Sequence, residues 1–282
     1  MNWKIPFSAL VLAAGMAQAN SFFAMDTAVR DLKELDTVKS LGYDGISWKT
    51  GQPEEVAAAQ VRQHGLKLFA VYSYQYAVLT TSNVMFGDPL TRAMKALAGT
   101  DAVIWLPISS TAFTNSSPDG DRIAVPALQR LAEDAATYGL RVAIYPHKGC
   151  WTERVQDATR VAKAVNRKNF GVTFNLCHCL MAGDEAKIPA LLADAAPYLF
   201  LVTINGADSG KGNSSWNELI RPLDEGSFEM RRFLQTLEAL HYTGPIGLQG
   251  YGLKIPVKEN LARSMVAWHR LNAINAATPN AR

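Results

Sequence analysis

Short apolar runs alternate with amphipathic stretches along most of the chain. Each run is rich in β-branched or aromatic residues and is bounded by Gly, Pro or Asn, which is typical of strands buried on both faces. The runs cover residues 22–25, 45–48, 66–72, 102–106, 142–145, 170–174, 199–204 and 246–249. They predict eight strands.

The stretches between the runs carry apolar residues at three- and four-residue steps, which predicts helices; the clearest cover 124–138, 153–165 and 228–240. Gly42, Gly65 and Gly139 stand where a helix would turn into the next strand, and glycine fits that left-handed position. Eight strand–helix units in about 260 residues predict an α/β fold, a single-domain (β/α)8 TIM barrel over residues 20–282. A doubly wound open sheet is the alternative, but no Gly-x-Gly-x-x-Gly motif follows the first run.

The first residues have the pattern of a secretory signal peptide. Lys4 gives a positive start, an apolar segment follows to Met16, and residues 17–19 read Ala-Gln-Ala, a small-x-small cleavage site. The apolar segment is shorter than the roughly 20 residues of a membrane span. We therefore expect a signal peptide at 1–19 and export to the periplasm or the extracellular space, without a membrane anchor after cleavage.

Composition narrows the range of partners. The chain has 28 Lys and Arg against 25 Asp and Glu, a formal net charge of +3, and no basic run, which argues against nucleic-acid binding. Its three cysteines cannot form a disulfide framework. Two of them flank His178 in Cys-His-Cys; if that segment is extended, the cysteines face away from the histidine and pack behind a strand.

In a TIM barrel the site lies at the carboxyl ends of the strands. Asp26 follows the first strand there, and the long polar stretch 205–227 after strand seven is a candidate lid. Aromatic faces stack on sugar rings, and amide and imidazole groups bond to hydroxyls, so the strand ends predict a small carbohydrate ligand. We predict as substrate-binding residues Trp48, Lys49, Tyr72, Tyr145, Asn175, Asn205 and Gln249.

Two histidines stand out as candidates for proton transfer. His147 follows Pro146 at the end of strand five, and His178 lies three residues beyond Asn175 at the end of strand six. Imidazole titrates near neutral pH and acts as acid or base. We predict His147 and His178 as catalytic residues, while no carboxylate pair for glycoside hydrolysis and no Gly-x-Ser-x-Gly motif are evident.

Four segments together carry a family resemblance: Leu-Gly-Tyr-Asp-Gly-Ile at 41–46, Tyr-Gly-Leu-Arg-Val-Ala at 138–143, Gly-Val-Thr-Phe-Asn-Leu-Cys-His at 171–178, and Tyr-Thr-Gly-Pro-Ile-Gly-Leu-Gln at 242–249. In this order they resemble the sugar phosphate isomerase/epimerase superfamily, the xylose isomerase-like TIM barrels. The resemblance covers most of the chain after residue 19. It implies an isomerase, epimerase or lyase acting on sugars.

The resemblance also implies a divalent metal, held by Glu, Asp, His and Glu after strands five to eight, with the two glutamates moving protons. The matching positions here are Tyr145, Asn175, Asn205 and Gln249, and His178 matches the histidine of the family's Asp-x-x-His pattern. Neutral side chains bind hard divalent cations poorly and do not relay protons as carboxylates do. We therefore predict no metal ligands, although a shift of one or two residues on strand five would offer His147 as a nitrogen ligand.

Three functions remain in competition. The first is an exported enzyme that isomerises, epimerises or eliminates on a sugar, keto-sugar or 3-keto-glycoside by histidine-based proton transfer. The second is a non-catalytic carbohydrate-binding protein descended from such an enzyme. The third is a hydrolytic metalloenzyme with a site rebuilt around His147 and His178, which would resemble the endonucleases of the same barrel. Weak basicity and export count against DNA as its substrate.

Overall fold

The computed structural model describes residues 20–49, 54–73, 77–212 and 214–277. The predicted signal peptide at 1–19 lies outside the described residues. Within the described ranges the strands are β1 Phe22–Ala24, β2 Gly45–Lys49, β3 Lys67–Tyr72, β4 Ala77–Leu79, β5 Val84–Phe86, β6 Val103–Leu106, β7 Ser109–Ser110, β8 Arg141–Ile144, β9 Phe170–Asn175, β10 Leu199–Ile204 and β11 Ile246–Leu248.

Eight of these strands are parallel to their neighbours and close into a barrel in the order β1, β11, β10, β9, β8, β6, β3, β2. This confirms the predicted TIM barrel and excludes an open sheet. All eight predicted strands are present within one or two residues at each end. Because β1 and β8 are four strands apart in either direction, they lie on opposite sides of the barrel.

The helices are α1 Asp26–Val29, α2 Leu35–Ser40, α3 Glu54–Gln63, α4 Asp88–Ala96, α5 Asp121–Thr137, α6 Val155–Val165, α7 Leu176–Met181, α8 Ile188–Ala195, α9 Trp216–Leu219, α10 Met230–Ala239 and α11 Val257–Ala277. The longer helices cover the outside of the barrel and bury their apolar stripes against it, whereas the short α1, α7 and α9 stand at its carboxyl end. The three predicted helices correspond to α5, α6 and α10. Gly65 and Gly139 take φ angles of 64° and 72°, the left-handed conformation expected where a helix turns into a strand.

Aromatic side chains fill the barrel interior. The Phe23 and Phe69 rings stack at 4.9 Å, Trp105 lies 6.1 Å from Phe23, and Tyr145 lies 5.3 Å from Trp105. Tyr145 comes directly after β8, so it forms the last aromatic layer at the carboxyl end. The barrel is therefore closed below Tyr145, and any ligand must bind above it.

Two features differ from the sequence prediction. A small sheet of β5, β4 and β7 stands beside the barrel, because β4 and β5 form an antiparallel hairpin beyond β3 and β7 pairs with β4. The Cys-His-Cys segment is not extended: it lies in α7, which begins directly after Asn175. Successive helical residues are separated by about 100°, so Cys177 and His178 both reach the carboxyl end of the barrel rather than opposite faces.

No helix in the described part of the chain combines the length and apolar character that a membrane span requires.

Candidate active site

A cavity of about 700 Å³ opens at the carboxyl ends of the barrel strands. Its volume suits a small ligand. Six of the predicted site residues line it, namely Lys49, Tyr72, Tyr145, His147, His178 and Gln249. The wall also contains polar groups outside the set of predicted site residues, among them Asp26, Thr27, Arg30 and Cys177.

Three predicted residues do not line the cavity. Trp48 alternates with the inward-facing positions of β2, so its ring packs in the core between barrel and helices and is 5% exposed. Asn175 is buried directly below the cavity. Asn205 turns its amide away: Nδ2 donates to the carbonyl oxygens of Gly206 and Leu219, both at 2.7 Å.

Tyr145 forms the cavity floor and gathers neutral polar groups. The Asn175 amide donates to its hydroxyl oxygen, and the side chains of Thr203 and Gln249 lie beside that hydroxyl and lower its pKa. Burial raises the pKa of Tyr145 well above its usual value, and the nearby Cys177 and Asp26 raise it further. The floor is therefore an uncharged phenol, able to donate a hydrogen bond but not to carry a negative charge.

The four positions that the family resemblance assigns to metal ligands do not fit a divalent cation. The Gln249 carbonyl oxygen already accepts from the Thr27 hydroxyl and from the main-chain N–H groups of Gly250 and Tyr251. The remaining three positions offer an uncharged phenol and two uncharged amides, with the Asn175 carbonyl oxygen accepting from Cys177 and the Asn205 carbonyl oxygen without a hydrogen-bond partner among the described residues. Divalent cations prefer charged carboxylates, which none of the four positions supplies. Within the described ranges, no group of three or more His, Cys, Asp and Glu side chains is arranged to hold a metal.

The histidine wall, formed by His147 and His178, stands on the β8–β9 side of the cavity. The two imidazole centroids are 4.2 Å apart. The His178 ring also meets Trp216 edge-on at 5.1 Å. His178 is 6% exposed and His147 is half-buried, so the pair is largely sheltered from water.

The main chain of Lys148 sets the tautomers of both rings. Its N–H donates to His178 Nδ1 at 3.1 Å, so the proton of neutral His178 resides on Nε2. Its carbonyl lies 2.9 Å from His147 Nδ1 and can only accept, so the proton of neutral His147 resides on Nδ1 and the lone pair on Nε2. One wall therefore combines an imidazole that can accept a proton with an imidazole that can donate a hydrogen bond.

Burial also keeps this wall neutral. Desolvation lowers the pKa of His147, although the bond to the Lys148 carbonyl opposes the shift. Desolvation and the neighbouring His147 lower the pKa of His178 well below its usual value. Both imidazoles are thus neutral at physiological pH.

The carboxylate wall, formed by Asp26 and Lys49, lies across the cavity. Asp26 follows β1, its main-chain N–H donates to the Ser47 hydroxyl at 3.2 Å, and that hydroxyl lies 3.4 Å from Oδ1. Burial raises the pKa of Asp26 from 3.8 to about 6, even though the positive charge of Lys49 lowers it. A carboxyl that titrates near neutrality inside a cavity is a candidate acid or base. The sequence placed Asp26 at a strand end but gave no sign of its desolvation.

A flap, residues 206–212 and 214–221, covers the histidine wall and corresponds to part of the predicted lid. Gly206 and Arg221 form an isolated antiparallel bridge, and the Arg221 guanidinium pairs with Asp208 at 2.6 Å. The side chains of Trp216 and Ile220 line the cavity. The bonds from Asn205 described above tie the flap to the end of β10.

A model of the xylose isomerase-like TIM barrel family matches residues 35–270. Among the curated proteins, none resembles this sequence at a significant level.

Several solved structures have the same fold at low sequence identity. The IOLI protein with a binding zinc atom has a TM-score of 0.70 at 16% identity, covering 90% of this chain and 98% of its own. The D-allulose 3-epimerase from Methylomonas sp., in complex with D-allulose, gives 0.68 at 16%, covering 89% and 96%. The 3-keto-D-glucoside 4-epimerase YcjR from E. coli gives 0.64 at 18%, covering 89% and 99%.

Proposed function

The chain belongs to the xylose isomerase-like TIM barrel family, and from this premise we propose that its cavity binds a sugar or keto-sugar and moves a proton at a carbon beside the carbonyl group. Isomerisation, epimerisation and elimination from a 3-keto-glycoside all begin with that step. The names of two structural neighbours, a D-allulose 3-epimerase and a 3-keto-D-glucoside 4-epimerase, support this class of substrate.

The observation that carries the proposal is the opposition of the two walls. His147 follows β8 and Asp26 follows β1, and these strands lie on opposite sides of the closed barrel. A ligand above Tyr145 therefore has one proton carrier on each face. Aromatic side chains of Tyr72 and Trp216 line the same cavity and offer surfaces on which a sugar ring stacks.

The proposed step balances without a co-reactant. Nε2 of His147 takes the proton from the carbon, and the electron pair of the broken C–H bond moves to the carbonyl oxygen to form an enolate. The Nε2–H group of His178 donates a hydrogen bond to that oxygen. Asp26, in its protonated form, gives a proton to the opposite face of the same carbon for epimerisation, to the former carbonyl carbon for isomerisation, or to the oxygen whose C–O bond breaks in elimination. In isomerisation, the proton of the adjacent hydroxyl also moves to the former carbonyl oxygen. His147 then releases to water the proton that it took, and Asp26 takes up a proton from water.

This proposal assigns to neutral donors the role that the family resemblance gives to a metal. The enolate oxygen would meet hydrogen bonds from His178 and from the Tyr145 hydroxyl instead of a cation. Such preorganised donors in a sheltered site stabilise developing charge strongly.

We also propose export, based on the signal pattern at 1–19. The expected result is a mature protein that begins at Asn20 and is recovered outside the cytoplasm. An uncleaved cytoplasmic protein would contradict it.

The experiment is solvent exchange. Purified protein is incubated in D2O with a panel of ketoses, aldoses and 3-keto-glycosides, and deuterium at carbon is followed by NMR and mass spectrometry. We expect incorporation beside the carbonyl of at least one sugar, reduced by roughly 10²–10⁴-fold in His147→Gln because a general base is lost. Incorporation at the wild-type rate in that variant would reject the role of His147.

One observation favours the second function, a non-catalytic carbohydrate-binding protein: all four positions matching the family's ligands carry neutral side chains. The same sugar panel in calorimetry separates the two functions. Binding without exchange for every sugar would favour the non-catalytic protein, whereas binding with exchange favours the enzyme.

A further inference from the structure

Glu153 lies outside the cavity wall, and its carboxylate makes three polar contacts. It is 8% exposed. Oε1 pairs with Lys148 Nζ at 2.9 Å; Oε2 accepts from Gly149 N–H at 3.0 Å and from Asn115 Nδ2 at 2.8 Å. The contacts with Lys148 and Gly149 hold the loop whose main chain sets the tautomers of the histidine wall.

The bond to Gly149 connects Glu153 to His147 through a single peptide group. The N–H of Gly149 and the carbonyl of Lys148 belong to the same peptide unit. The N–H end donates to the Glu153 carboxylate, and the carbonyl end accepts from His147 Nδ1. A negative charge at the N–H end polarises the peptide, strengthens its carbonyl as an acceptor, and favours the tautomer with the proton on Nδ1.

We propose that Glu153 is a positioning residue that acts on His147 through the Lys148–Gly149 peptide, holding the lone pair on Nε2, where it is directed away from that peptide. The ion pair to Lys148 fixes the same residue from its side chain, and therefore also steadies the N–H group that donates to His178. The catalytic effect of Glu153 rests on the proposed function. The tautomers of His147 and His178 do not, because they follow from hydrogen bonds in the ligand-free protein.

The loop geometry supports a rigid connection. Gly149 has a φ of +89°, a conformation that side-chain-bearing residues rarely adopt. His147 N–H donates to the Thr152 carbonyl at 3.1 Å, and Cys150 N–H donates to the His147 carbonyl at 2.9 Å. The loop thus closes on itself, and the Glu153 carboxylate bonds to its Gly149 N–H.

Histidine tautomers can be read without a substrate. In protein labelled with ¹⁵N-histidine, long-range ¹H–¹⁵N spectra assign the protonated nitrogen of each ring. We expect Nδ1–H for His147 and Nε2–H for His178 in the ligand-free protein, with His147→Gln and His178→Gln used to identify the signals.

Glu153→Gln removes the charge: its single carbonyl oxygen can still accept from Gly149 N–H and Asn115 Nδ2, but its NH2 group then meets the Lys148 ammonium, so the ion pair is lost. We expect the His147 signals to shift toward a mixture of the two tautomers. We also expect kcat to fall by roughly 10–100-fold, the loss typical of removing a group that orients an active-site histidine, with KM within about twofold. Glu153→Asp keeps the charge but shortens its reach, and we expect the same direction of change; this variant decides the matter if Glu153→Gln does not fold.

Asp157→Asn is the matched control. Asp157 is a buried carboxylate four residues further on, 3% exposed, and its bonds go to Ser116, Arg154 and Arg160 instead of the Lys148 loop. We expect this variant to lose stability while its histidine spectrum remains that of the wild type. Unchanged His147 signals in both Glu153 variants would overturn the proposal. Shifted signals in a protein that exchanges no sugar would support the positioning role and count only against the proposed function.

Discussion

The two walls of the cavity carry their proton-transfer groups in contrasting surroundings. On the histidine wall, His147 and His178 are held by main-chain hydrogen bonds, covered by the flap and kept neutral by burial. On the carboxylate wall, Asp26 is partly exposed and has the charged Lys49 beside it. Burial therefore lowers the pKa of the two histidines and raises the pKa of Asp26.

Burial favours the neutral form of both proton carriers. Desolvation disfavours the charged form in both cases, so it raises the pKa of Asp26 to about 6 and lowers the pKa of His147 from 6.5. It therefore favours a protonated Asp26 that can give up a proton and an unprotonated His147 that can take one, which are the forms that the proposed reaction uses. A reversible reaction such as epimerisation uses the two walls in opposite order in its forward and reverse steps.

The largest expected effect comes from removing the acid of the carboxylate wall. In Asp26→Asn, we expect product formation to fall by about 10³-fold, because no group remains to return a proton on that face. Deuterium exchange at the face of His147 should persist, since the first proton transfer does not need Asp26. The measurement is product chirality and deuterium content together, by NMR.

His147→Gln is the matched variant for this prediction, because it should lose both exchange and product. If Asp26→Asn forms product within about threefold of the wild-type rate, the two-wall reading is wrong and the histidine wall acts alone.

Much of the fold could be predicted from the sequence because its signals are local. The eight strands follow from apolar runs. Gly65 and Gly139 mark the turns between helix and strand, where the backbone takes a positive φ angle that favours glycine. The Cys-His-Cys segment was assigned wrongly because α7 begins directly at the end of a strand: Asn175 is both the last residue of β9 and the N-cap of α7, and its side chain makes no capping hydrogen bond. Six residues are too few for helical periodicity to appear.

The site could be predicted only in part, for a physical reason. Residues at strand ends can be listed from the sequence, but the pairing of Asp26 with His147 depends on the closure of the barrel. Desolvation of Asp26 and the contact of Glu153 with the Lys148 loop depend on neighbours distant in sequence. Asn205 was predicted to bind substrate on its position alone, and the direction of its amide is visible only in the structure.

A second prediction compares the two walls through stability. Folding raises the pKa of Asp26, so the protonation of this residue adds to the free energy of unfolding in full below pH 3.8. That contribution is lost as the pH rises through about 6. The folded pKa of His178 is lowered, so its contribution is present above pH 6.5 and lost as pH falls below that value. The two walls therefore give the free energy of unfolding opposite slopes with pH.

We expect Asp26→Asn to gain stability relative to the wild type at pH 8 and to show little change at pH 4. The pKa rise of Asp26 corresponds to at most about 3 kcal/mol, which partial exposure reduces to about 1–2 kcal/mol. His178→Gln should flatten the loss of stability below pH 6.5. Urea unfolding at four pH values measures both; parallel pH profiles for the two variants would contradict the assigned desolvation.

The smallest expected effect concerns the flap that makes the histidine wall the more sheltered of the two. Asn205→Ala removes two hydrogen bonds to main-chain carbonyls at Gly206 and Leu219. We expect a loss of about 1–2 kcal/mol in the free energy of unfolding, because a buried hydrogen bond contributes about 1 kcal/mol and a buried acceptor left without a partner costs more. In the ligand-free protein, hydrogen exchange should accelerate at the flap amides and remain unchanged around Asp26. If Asn205 only contacted substrate, its removal would leave hydrogen exchange at the flap amides as in the wild type. Unchanged exchange together with a weaker affinity for sugar would therefore contradict this structural role. It would support instead the substrate-binding role that the position of Asn205 at a strand end first indicated.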